Sequence, residues 1–534
     1  AVEISKLRGF LSLIVDETVK DERDNRGVKA LPNLEFKFVT ANTLIGLDKP
    51  KVEGAIEDAL EDREALKRIR ESYLQSYGKE KTELEGKFIK VSDQIGNKAS
   101  SWGRKGYDSS SIQLANWNPF RHNSNDWFDP QWMFGVQSGF DIVIANPPYV
   151  DSENMTKYQQ ELRNTYSQLF DSASGNWDLF VIFVEKALNL AKENGIITYI
   201  VSNKLLAAEY TEELRKLLLK ISFVEIRDYS EVNVFRKVDV YPITFLLRKV
   251  KEKSSVIMRK MEGIVKTSTN LTIQPKVFYK DIYWDLYFSD NPVSIELIQK
   301  LLRHKKLGDL AQVFGAATVS EAYEIKGILQ NTNNYNPNNH FKFINTGTID
   351  PFISLWGAKQ ARYLKSSYIR PIVSRKALKN LYESRFEQSM KEKIIVGGLT
   401  KELEAYYDSG HYLAGKSTSI IFDSDLNLKY IEGIINSNLS TFFYKRFFNS
   451  LTLAGGYLRI GPPQLRKMPI VSHTPYKSEL IKKVKAIHSY SGIDIKNKKV
   501  QLNEFQKLIN EANDIVYKIY GLDEQEIEII ESGN

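Results

Sequence analysis

The stretch FDIVIANPPYV, from Phe140 to Val150, constrains this chain more than any other. It begins as an apolar strand and then reaches two consecutive prolines. A proline has no backbone N–H to donate to a strand ladder, so a central strand cannot continue through this pair. The stretch therefore predicts a strand whose carboxyl end presents an amide, two rigid prolines and an aromatic ring.

Those four residues suit the recognition of an amino group. Open α/β sheets bind ligands beyond the carboxyl ends of their strands. There, the amide oxygen of Asn146 and the carbonyl of Pro147 could hold both hydrogens of a planar amino group, while Tyr149 offers a flat face for stacking. Such bonds favour a pyramidal nitrogen with a localised lone pair, so position and electrostatics could promote methyl transfer to it. The alternative is a plain strand-ending turn, which an Asn-Pro pair alone would favour.

The segments around this stretch alternate between strand-like and helix-like patterns. LEFKFVTANTLIG (Leu34–Gly46) alternates like a strand, and WDLFVIFVEKALNLAKENG predicts a helix that ends at Gly195. Further strands are predicted at IITYIVSNK, SFVEIRDYSE and VDVYPITFLLRKV. Apolar strands separated by helices predict an α/β fold with a doubly wound sheet.

Two other regions differ in character. Residues from about 50 to 135 predict a charged helical insertion followed by an aromatic loop that covers a core. From about residue 275, short strands and turns predict a second, mixed α+β domain. Within it, LKYIEGIINSNLSTFFYKRFF predicts one amphipathic helix, and residues 476–534 predict a helical tail.

Composition narrows the class of protein. A chain of 534 residues is too long for one compact core. The absence of cysteine excludes disulfides and cysteine-based metal sites and is compatible with the cytoplasmic location that we expect. The six histidines have no ligand-like spacing, so no metal site is expected, and no apolar run could span a bilayer. The net charge of +8 fits a polyanionic partner, although a solvated basic surface explains it equally simply.

With its flanking WFDPQWMFG, the tetrapeptide resembles the motif of amino-methylating DNA methyltransferases, particularly TaqI-like adenine-N6 enzymes and the larger type IIG restriction–modification methylases. The resemblance implies a Rossmann-like methyltransferase sheet. It also implies S-adenosylmethionine as methyl donor, no metal for methylation, and double-stranded DNA as partner. The target adenine would be flipped out of the duplex, because its N6 is unreachable inside the stack. RNA and protein-glutamine methyltransferases share the tetrapeptide, but the large second domain argues against them.

The resemblance also assigns roles to individual residues. The catalytic positions are Asn146, Pro147, Pro148 and Tyr149, and the rings that stack on the flipped adenine are Tyr149 and Phe235. Taken alone, Phe235 is more simply a core residue. The implied methyl-donor positions are Asn42, placed after the family's third strand, Asn146, Pro148, Asp178 and Phe180. Many family members have Asp at the Asn42 position, and a plain helix start explains Asp178 and Phe180 nearly as well.

The second domain resembles the TaqI-like target-recognition domain. YIRPIVSRKALKN, IINSNLSTFFYKRFFNS and LAGGYLRIGPPQLRKMPI carry this resemblance. It implies DNA contacts through basic side chains, although each one singly is more simply a solvated charge. The candidates are Arg362, Lys365, Arg370, Arg375, Lys376, Lys416, Arg446 and Arg459.

The predicted domains are therefore a partial catalytic domain over 1–260, with the insertion at about 50–135, a target-recognition domain over 275–475 and a helical extension over 476–534. The family's glycine-rich donor loop has no counterpart in this sequence. We therefore expect an incomplete, N-terminally truncated sheet with an exposed apolar gap and weak donor binding. The alternative function is a DNA-binding specificity fragment without catalysis. An upstream nuclease domain or a restriction subunit is a candidate partner.

Overall fold

The computed structural model describes residues 2–27, 33–48, 57–100, 109–121, 123–235, 240–279, 283–288, 291–453, 455–490 and 499–532. Contacts divide the chain into two compact units. The first unit comprises Ala1–Val201, Lys220–Val224 and Thr244–Lys253. The second unit comprises Ser202–Leu219, Glu225–Ile243 and Ser254–Asn534.

Helices and strands alternate along the chain, and a six-stranded sheet contains parallel pairs, which confirms the predicted α/β fold class. The helices up to residue 301 are α1 Val2–Val15, α2 Glu57–Gln75, α3 Gly78–Ser100, α4 Ser109–Asn116, α5 Pro130–Phe134, α6 Ser152–Tyr158, α7 Gln160–Leu169, α8 Leu179–Leu190, α9 Glu212–Leu218, α10 Pro275–Phe278 and α11 Pro292–Leu301. The later helices are α12 Val319–Ile328, α13 Arg375–Leu381, α14 Glu383–Met390, α15 Leu428–Ile435, α16 Asn438–Phe447, α17 Pro462–Leu465, α18 Lys477–Ile487, α19 Lys499–Tyr520 and α20 Glu524–Glu531.

A six-stranded sheet carries the tetrapeptide. Its strands are β1 Phe140–Ala145, β2 Ala191–Ser202, β3 Ser222–Asp228, β4 Pro242–Arg248, β5 Val256–Met261 and β6 Thr267–Ile273, in the order β1-β2-β4-β3-β5-β6. Strand β1 pairs in parallel with β2, and β3 pairs in parallel with β5, whereas β5 and β6 are antiparallel. The sheet is therefore mixed, with β1 at one end of the strand order.

Short strands dominate the rest of the second unit. They are β7 Lys305–Lys306, β8 Gln312–Gly315, β9 Leu329–Asn331, β10 His340–Ile344, β11 Ile349–Asp350, β12 Ile353–Ser354, β13 Ala361–Tyr363, β14 Ser366–Tyr368, β15 Pro371–Ser374, β16 Lys393–Gly397, β17 Leu399–Thr400, β18 Ala405–Asp408, β19 Tyr412–Ala414, β20 Thr418–Phe422, β21 Thr452–Leu453, β22 Tyr457–Arg459 and β23 Pro469–Ile470. Two four-stranded sheets have the orders β19-β10-β15-β9 and β18-β16-β20-β8, and a smaller sheet has the order β17-β22-β21.

The predicted strand at Leu34–Gly46 is wrong. This segment forms turns and a single isolated bridge between Ala41 and Asn125. Its alternating pattern reflects packing against helices, because the ring of Phe36 lies edge-on to Phe88 and Trp117 in an aromatic core. Trp117 is buried in that core, so the aromatic loop does cover apolar side chains.

Two predicted helices also differ from the structure. Helix α8 ends at Leu190 rather than at Gly195, because β2 already begins at Ala191 and Gly195 packs against the carbonyl of Phe140. The predicted single helix over 428–448 is two helices, α15 and α16. The break occurs because Ser437 caps α16, with its side chain accepting a hydrogen bond from the N–H of Ser440.

Candidate active site and nucleic-acid surface

The tetrapeptide follows β1 directly, as its prolines require. Ala145, the last residue of β1, lies opposite Tyr199 in the parallel ladder with β2. Asn146 and Pro148 are exposed, whereas Pro147 is buried. The amide that could accept a hydrogen bond from a ligand is therefore accessible to solvent at the carboxyl end of a parallel strand.

Tyr149 is held by the neighbouring strand. Its hydroxyl donates a hydrogen bond of 3.4 Å to the carbonyl oxygen of Ile200 on β2. Burial raises the pKa of Tyr149 to about 12, so the phenol is neutral at physiological pH. The ring is half-buried, and one strand fixes its hydroxyl end.

The chain leaving the tetrapeptide is bonded to the start of α8. The N–H of Leu179 donates to the carbonyl of Val150 at 2.9 Å, and the N–H of Ser152 donates to Asp178 Oδ1 at 3.2 Å. Asp178 is the N-cap residue of α8. Its side chain accepts a hydrogen bond from Ser152, in the segment after the tetrapeptide, rather than from the first turn of α8. The structure brings Asp178 close in space to the tetrapeptide, while Phe180 is 1% exposed and lies in the core.

Helix α7 positions the segment before α8 through Arg163. Its guanidinium donates to the carbonyls of Gly175 at 2.8 Å and Trp177 at 3.1 Å, and it lies 4.4 Å from the centre of the Trp177 indole ring. Burial lowers the pKa of Arg163, and the charge of Asp178 opposes that shift. Sequence reasoning missed Arg163, because an arginine in a polar helix gives no sign that it faces inward.

Asn42 is linked to the same helix. Its Nδ2 donates to the hydroxyl of Tyr166 at 3.0 Å, and its Oδ1 accepts from the N–H of Leu44 at 3.2 Å. Arg163 and Tyr166 are three residues apart, so they lie on one face of α7. The expected strand before Asn42 is replaced by the isolated bridge at Ala41, so an Asx-type turn rather than a strand end positions this amide.

Phe235 lies in the second unit. It is half-buried, in an irregular stretch between β3 and β4. The tetrapeptide belongs to the first unit. The pairing of Phe235 with Tyr149 around a base therefore stays a prediction.

The eight basic candidates of the second unit occupy different environments. Arg362, Lys365, Lys376, Lys416 and Arg459 are exposed, whereas Arg370, Arg375 and Arg446 are partly buried. Arg370 Nη1 lies 3.4 Å from Asn333 Oδ1, and the guanidinium of Arg446 lies 5.8 Å from the centre of the Phe442 ring. The partly buried arginines thus contact their own domain.

Metal-binding clusters and membrane-spanning helices are both absent from the described residues. Across those ranges, no group of three or more histidine, aspartate or glutamate side chains is placed to hold a metal ion. None of the helices in the described part of the chain is both long and apolar enough to cross a membrane.

Two family models match the chain. Residues 1–235 match the Eco57I restriction-modification methylase, and residues 339–470 match the TaqI-like C-terminal specificity domain. The first match contains the tetrapeptide. The second match contains all eight basic candidates.

Three curated relatives carry the names of type II restriction–modification proteins. The type II restriction enzyme and methyltransferase RM.Eco57I of Escherichia coli is 25% identical over 111 residues, which are 21% of this chain and 11% of the relative. The type II methyltransferase M.TthHB8I of Thermus thermophilus is 26% identical over 129 residues, which are 22% of this chain and 30% of the relative. A Methanocaldococcus jannaschii protein that carries the name of a type II restriction enzyme and methyltransferase, RM.MjaORFECS2P, is 22% identical over 97% of this chain and 47% of its own length.

This chain thus spans less than half of each of these relatives. Among solved structures, the type IIL restriction-modification enzyme MmeI in complex with DNA is 13% identical, with a TM-score of 0.45, over 83% of this chain and 62% of that one. With a TM-score of 0.45, this similarity supports no conclusion about the fold beyond those drawn above. The chain thus contains an Eco57I-like restriction-modification methylase domain, matched over residues 1–235, followed by a TaqI-like C-terminal specificity domain, matched over residues 339–470.

Proposed function

We propose that this protein is a site-specific DNA methyltransferase that transfers a methyl group from S-adenosylmethionine to adenine N6 in duplex DNA. The single observation that carries the proposal is the position of Asn-Pro-Pro-Tyr at the carboxyl end of β1, with Asn146 exposed. The methylase and specificity matches support DNA as the partner. The chemistry of the tetrapeptide supports an exocyclic amino group as the target, and the choice of adenine N6 follows the resemblance to TaqI-like adenine-N6 enzymes.

In this proposal, the tetrapeptide recognises and activates the amino group. Asn146 Oδ1 and the Pro147 carbonyl accept its two N–H groups, which localises the nitrogen lone pair. Tyr149 stacks on the base after it leaves the duplex, and this contact offsets part of the unstacking cost. Its pKa of about 12 keeps the phenol uncharged, so the ring presents a neutral face. Phe235 would supply the opposite face.

The residues present fit a methyl donor in their chemistry. Pro148 is exposed and offers an apolar surface, and the amide of Asn42 can bond with the adenine of the donor. Asp178 lies on the segment bonded to the loop after Tyr149, so its carboxylate is near the tetrapeptide. When bound, S-adenosylmethionine supplies an electrophilic sulfonium methyl group. Phe180 would act from within the core, by shaping the wall of the pocket rather than by contact.

One observation favours the alternative of a DNA-binding specificity module without catalysis. Ile142 and Ile144 on β1 are 60% and 75% exposed, so one apolar face of the strand that carries the tetrapeptide is uncovered. An uncovered strand would hold the tetrapeptide less rigidly, and catalysis by position depends on rigidity.

Titration calorimetry with S-adenosylmethionine separates the two functions. Measurable affinity supports the methyltransferase, and its absence supports the specificity module. A companion assay offers labelled donor with duplex DNA, tRNA or a protein mixture. We expect label only in duplex DNA, and label only in tRNA or only in protein would rule out the DNA methyltransferase.

A further inference from the structure

Strand β3 ends on a buried acidic side chain, Asp228. This residue is 4% exposed, although a carboxyl group is costly to bury without hydrogen-bond partners. Burial raises the pKa of Asp228, and hydrogen bonds from Ser230 oppose that shift. An apolar side chain at this position could not accept those bonds.

Asp228 closes the first turn of the loop that follows β3. Its Oδ1 accepts a hydrogen bond from the backbone N–H of Ser230 at 2.9 Å and another from the Ser230 hydroxyl at 2.5 Å. An aspartate that accepts from the N–H two residues further on forms an Asx turn, which fixes the direction of the chain as it leaves the strand. The start of the loop thus depends on one carboxylate oxygen.

Asn203 connects this turn to the segment after β2. Its Nδ2 donates to Ser230 Oγ at 3.2 Å, and its backbone N–H donates to the carbonyl of Tyr241 at 2.8 Å. Asn203 is 7% exposed, and Tyr241 directly precedes β4. The hydrogen bonds among Asn203, Ser230 and Asp228 therefore join the segments that follow β2 and β3 and precede β4.

Backbone hydrogen bonds continue along the loop. The N–H of Tyr229 donates to the carbonyl of Pro242 at 2.9 Å, and the N–H of Val232 donates to the carbonyl of Tyr229 at 2.8 Å. The N–H of Val234 donates to the carbonyl of Val232 at 2.8 Å, and Phe235 is the next residue. A series of bonded residues thus leads from the turn at the end of β3 to Phe235.

An ion pair from β5 adds a second attachment. Lys260 lies opposite Asp228 in the parallel ladder of β3 and β5, and its Nζ lies 2.7 Å from Oε1 of Glu231 in the loop. The side chain of Glu231 is 65% exposed, and ion pairs with an exposed partner contribute little to stability. The buried carboxylate of Asp228 is therefore the stronger of the two attachments.

We propose that Asp228 is a positioning residue for capture of the target base: through Ser230 it fixes the loop that carries Phe235, so that the ring is in place before a base leaves the duplex. The proposal rests on the proposed function, since it explains how the second stacking ring is held. A ring on a fixed loop loses less conformational entropy when it stacks than a ring on a mobile loop. Because Asp228 is buried, it acts through the loop and not by contact with the base.

The first measurement does not depend on activity. Hydrogen exchange of the backbone amides of residues 229–235, measured on the full chain by mass spectrometry, reports whether the loop is held. Asp228→Ala removes both bonds to Ser230 and should speed this exchange by about tenfold or more. Asp228→Asn keeps an oxygen acceptor and should restore most of the protection.

A matched control removes a buried hydroxyl from the same unit. Ser294 Oγ is buried and has no hydrogen-bond partner among the described residues. Ser294→Ala should therefore leave exchange of residues 229–235 as it is in the wild type.

The second measurement follows extrusion of the base. Sequencing of the wild-type product locates the methylated adenine, and a duplex with 2-aminopurine at that position gains fluorescence when the base leaves the stack. Asp228→Ala should reduce this gain and lower kcat for methylation by about tenfold, while the KM for DNA changes by less than about threefold. Asp228→Asn should restore kcat, which a loss of folded protein would not predict.

Ser230→Ala guards against misfolding of Asp228→Ala. It keeps the backbone bond to Asp228 and loses only the hydroxyl, so kcat should fall by about three- to fivefold with the melting temperature within a few degrees of the wild type. A Ser230→Ala variant with wild-type exchange and wild-type kcat would contradict the proposal.

Three further results would overturn the proposal: wild-type exchange in Asp228→Ala, normal base extrusion from a loop that exchanges faster, or equal losses in Asp228→Ala and Asp228→Asn. A wild-type chain that methylates no adenine would count against the proposed function and, with it, against the role in base capture. The exchange measurement would still decide whether Asp228 holds the loop.

Discussion

At the residue scale, Tyr149 differs from the rest of the tetrapeptide because its side chain has a partner on the neighbouring strand. The bond from its hydroxyl to the Ile200 carbonyl is long, at 3.4 Å, so it orients the ring more than it stabilises the fold. Stacking needs the ring and not the hydroxyl. Substitution can therefore separate the contribution of the Tyr149 ring from that of its hydroxyl.

Tyr149→Phe keeps the ring, and we expect methyl transfer within about threefold of the wild-type rate, since only a weak hydrogen bond is lost. Tyr149→Ala removes the stacking face and should lower kcat/KM by about 10- to 100-fold, in line with 1–3 kcal/mol per stacked base. The measurement is the initial rate with labelled S-adenosylmethionine and duplex DNA. Equal rates for the two variants would argue against a stacking role.

The residues of the site were predictable from sequence to different degrees. Asn146 through Tyr149 could be placed, because prolines end a strand whatever surrounds it. Arg163 could not, because its inward orientation depends on the carbonyls of Gly175 and Trp177, which only the folded loop presents. Asn42 was placed after a strand that does not form, because aromatic packing of Phe36 gives the same alternation as a sheet.

At the element scale, β1 depends on Gly139, the glycine that directly precedes it. Gly139 has a φ of 90°, and a methyl group there would lie 2.8 Å from the carbonyl oxygen of Leu190 and 2.8 Å from the N–H nitrogen of Lys192. The junction between α8 and β2 therefore lies directly against this residue. Strand β1 could be predicted from its apolar run, but the extent of β2 could not, because Asn194 adopts a left-handed conformation within it, with a φ of 66°.

Gly139→Ala should destabilise the chain by about 2–4 kcal/mol, from left-handed strain plus the steric clash. Gly78→Ala is the matched control, since Gly78 also has positive φ, at 56°, but open space around it. We expect the control to lose about 1 kcal/mol. Urea unfolding midpoints measure both, and equal losses would mean that the clash is absent.

Glu404 makes stability depend on pH. Burial raises its pKa to about 7, with further raising by Asp350 and Glu402 and lowering by Lys359. A carboxyl group with a raised pKa in the folded state contributes stability below its unfolded pKa and loses it as pH rises through about 7. Glu404→Gln should therefore raise the melting temperature at pH 8, by the equivalent of about 1 kcal/mol after solvent screening.

The same substitution should have a much smaller effect at pH 4, just below the ordinary pKa of a glutamate, where the folded wild-type side chain is protonated. Melting temperatures of the wild type and Glu404→Gln, measured from pH 4 to pH 8, check whether the gain in stability grows as the pH rises. A stability gain that is equal at low and high pH would show that titration of Glu404 is not the cause.

At the scale of the whole molecule, the C-terminal helices are joined to the specificity domain by a pair of side chains, one buried and one partly buried. Glu432 on α15 is fully buried, and its Oε2 lies 2.7 Å from His488 Nε2 at the end of α18. Its Oε1 accepts from the N–H of Tyr407 at 2.8 Å. Burial raises the pKa of Glu432, and His488 opposes that shift. The helical tail was predictable from its pattern, but this contact was not.

His488→Ala should destabilise the chain by about 3–5 kcal/mol, because it leaves a buried carboxylate with one partner fewer. The double variant E432L/H488L removes both polar groups and should recover most of that loss, since apolar replacement of a buried pair is often nearly neutral. Chemical denaturation compares the two. If His488→Ala were as stable as the wild type, the Glu432–His488 pair would contribute nothing to the attachment of the C-terminal helices.

The central claim is methyl transfer to adenine N6 through the tetrapeptide. The most direct measurement incubates the full chain with S-adenosylmethionine and duplex DNA, digests the product to nucleosides and identifies the methylated base by mass spectrometry. We predict N6-methyladenine with the wild-type chain and at least a hundredfold less, on the order of 3 kcal/mol in transition-state stabilisation, with Asn146→Ala. Methylation of another base, or equal N6-methyladenine from the two proteins, would contradict the claim.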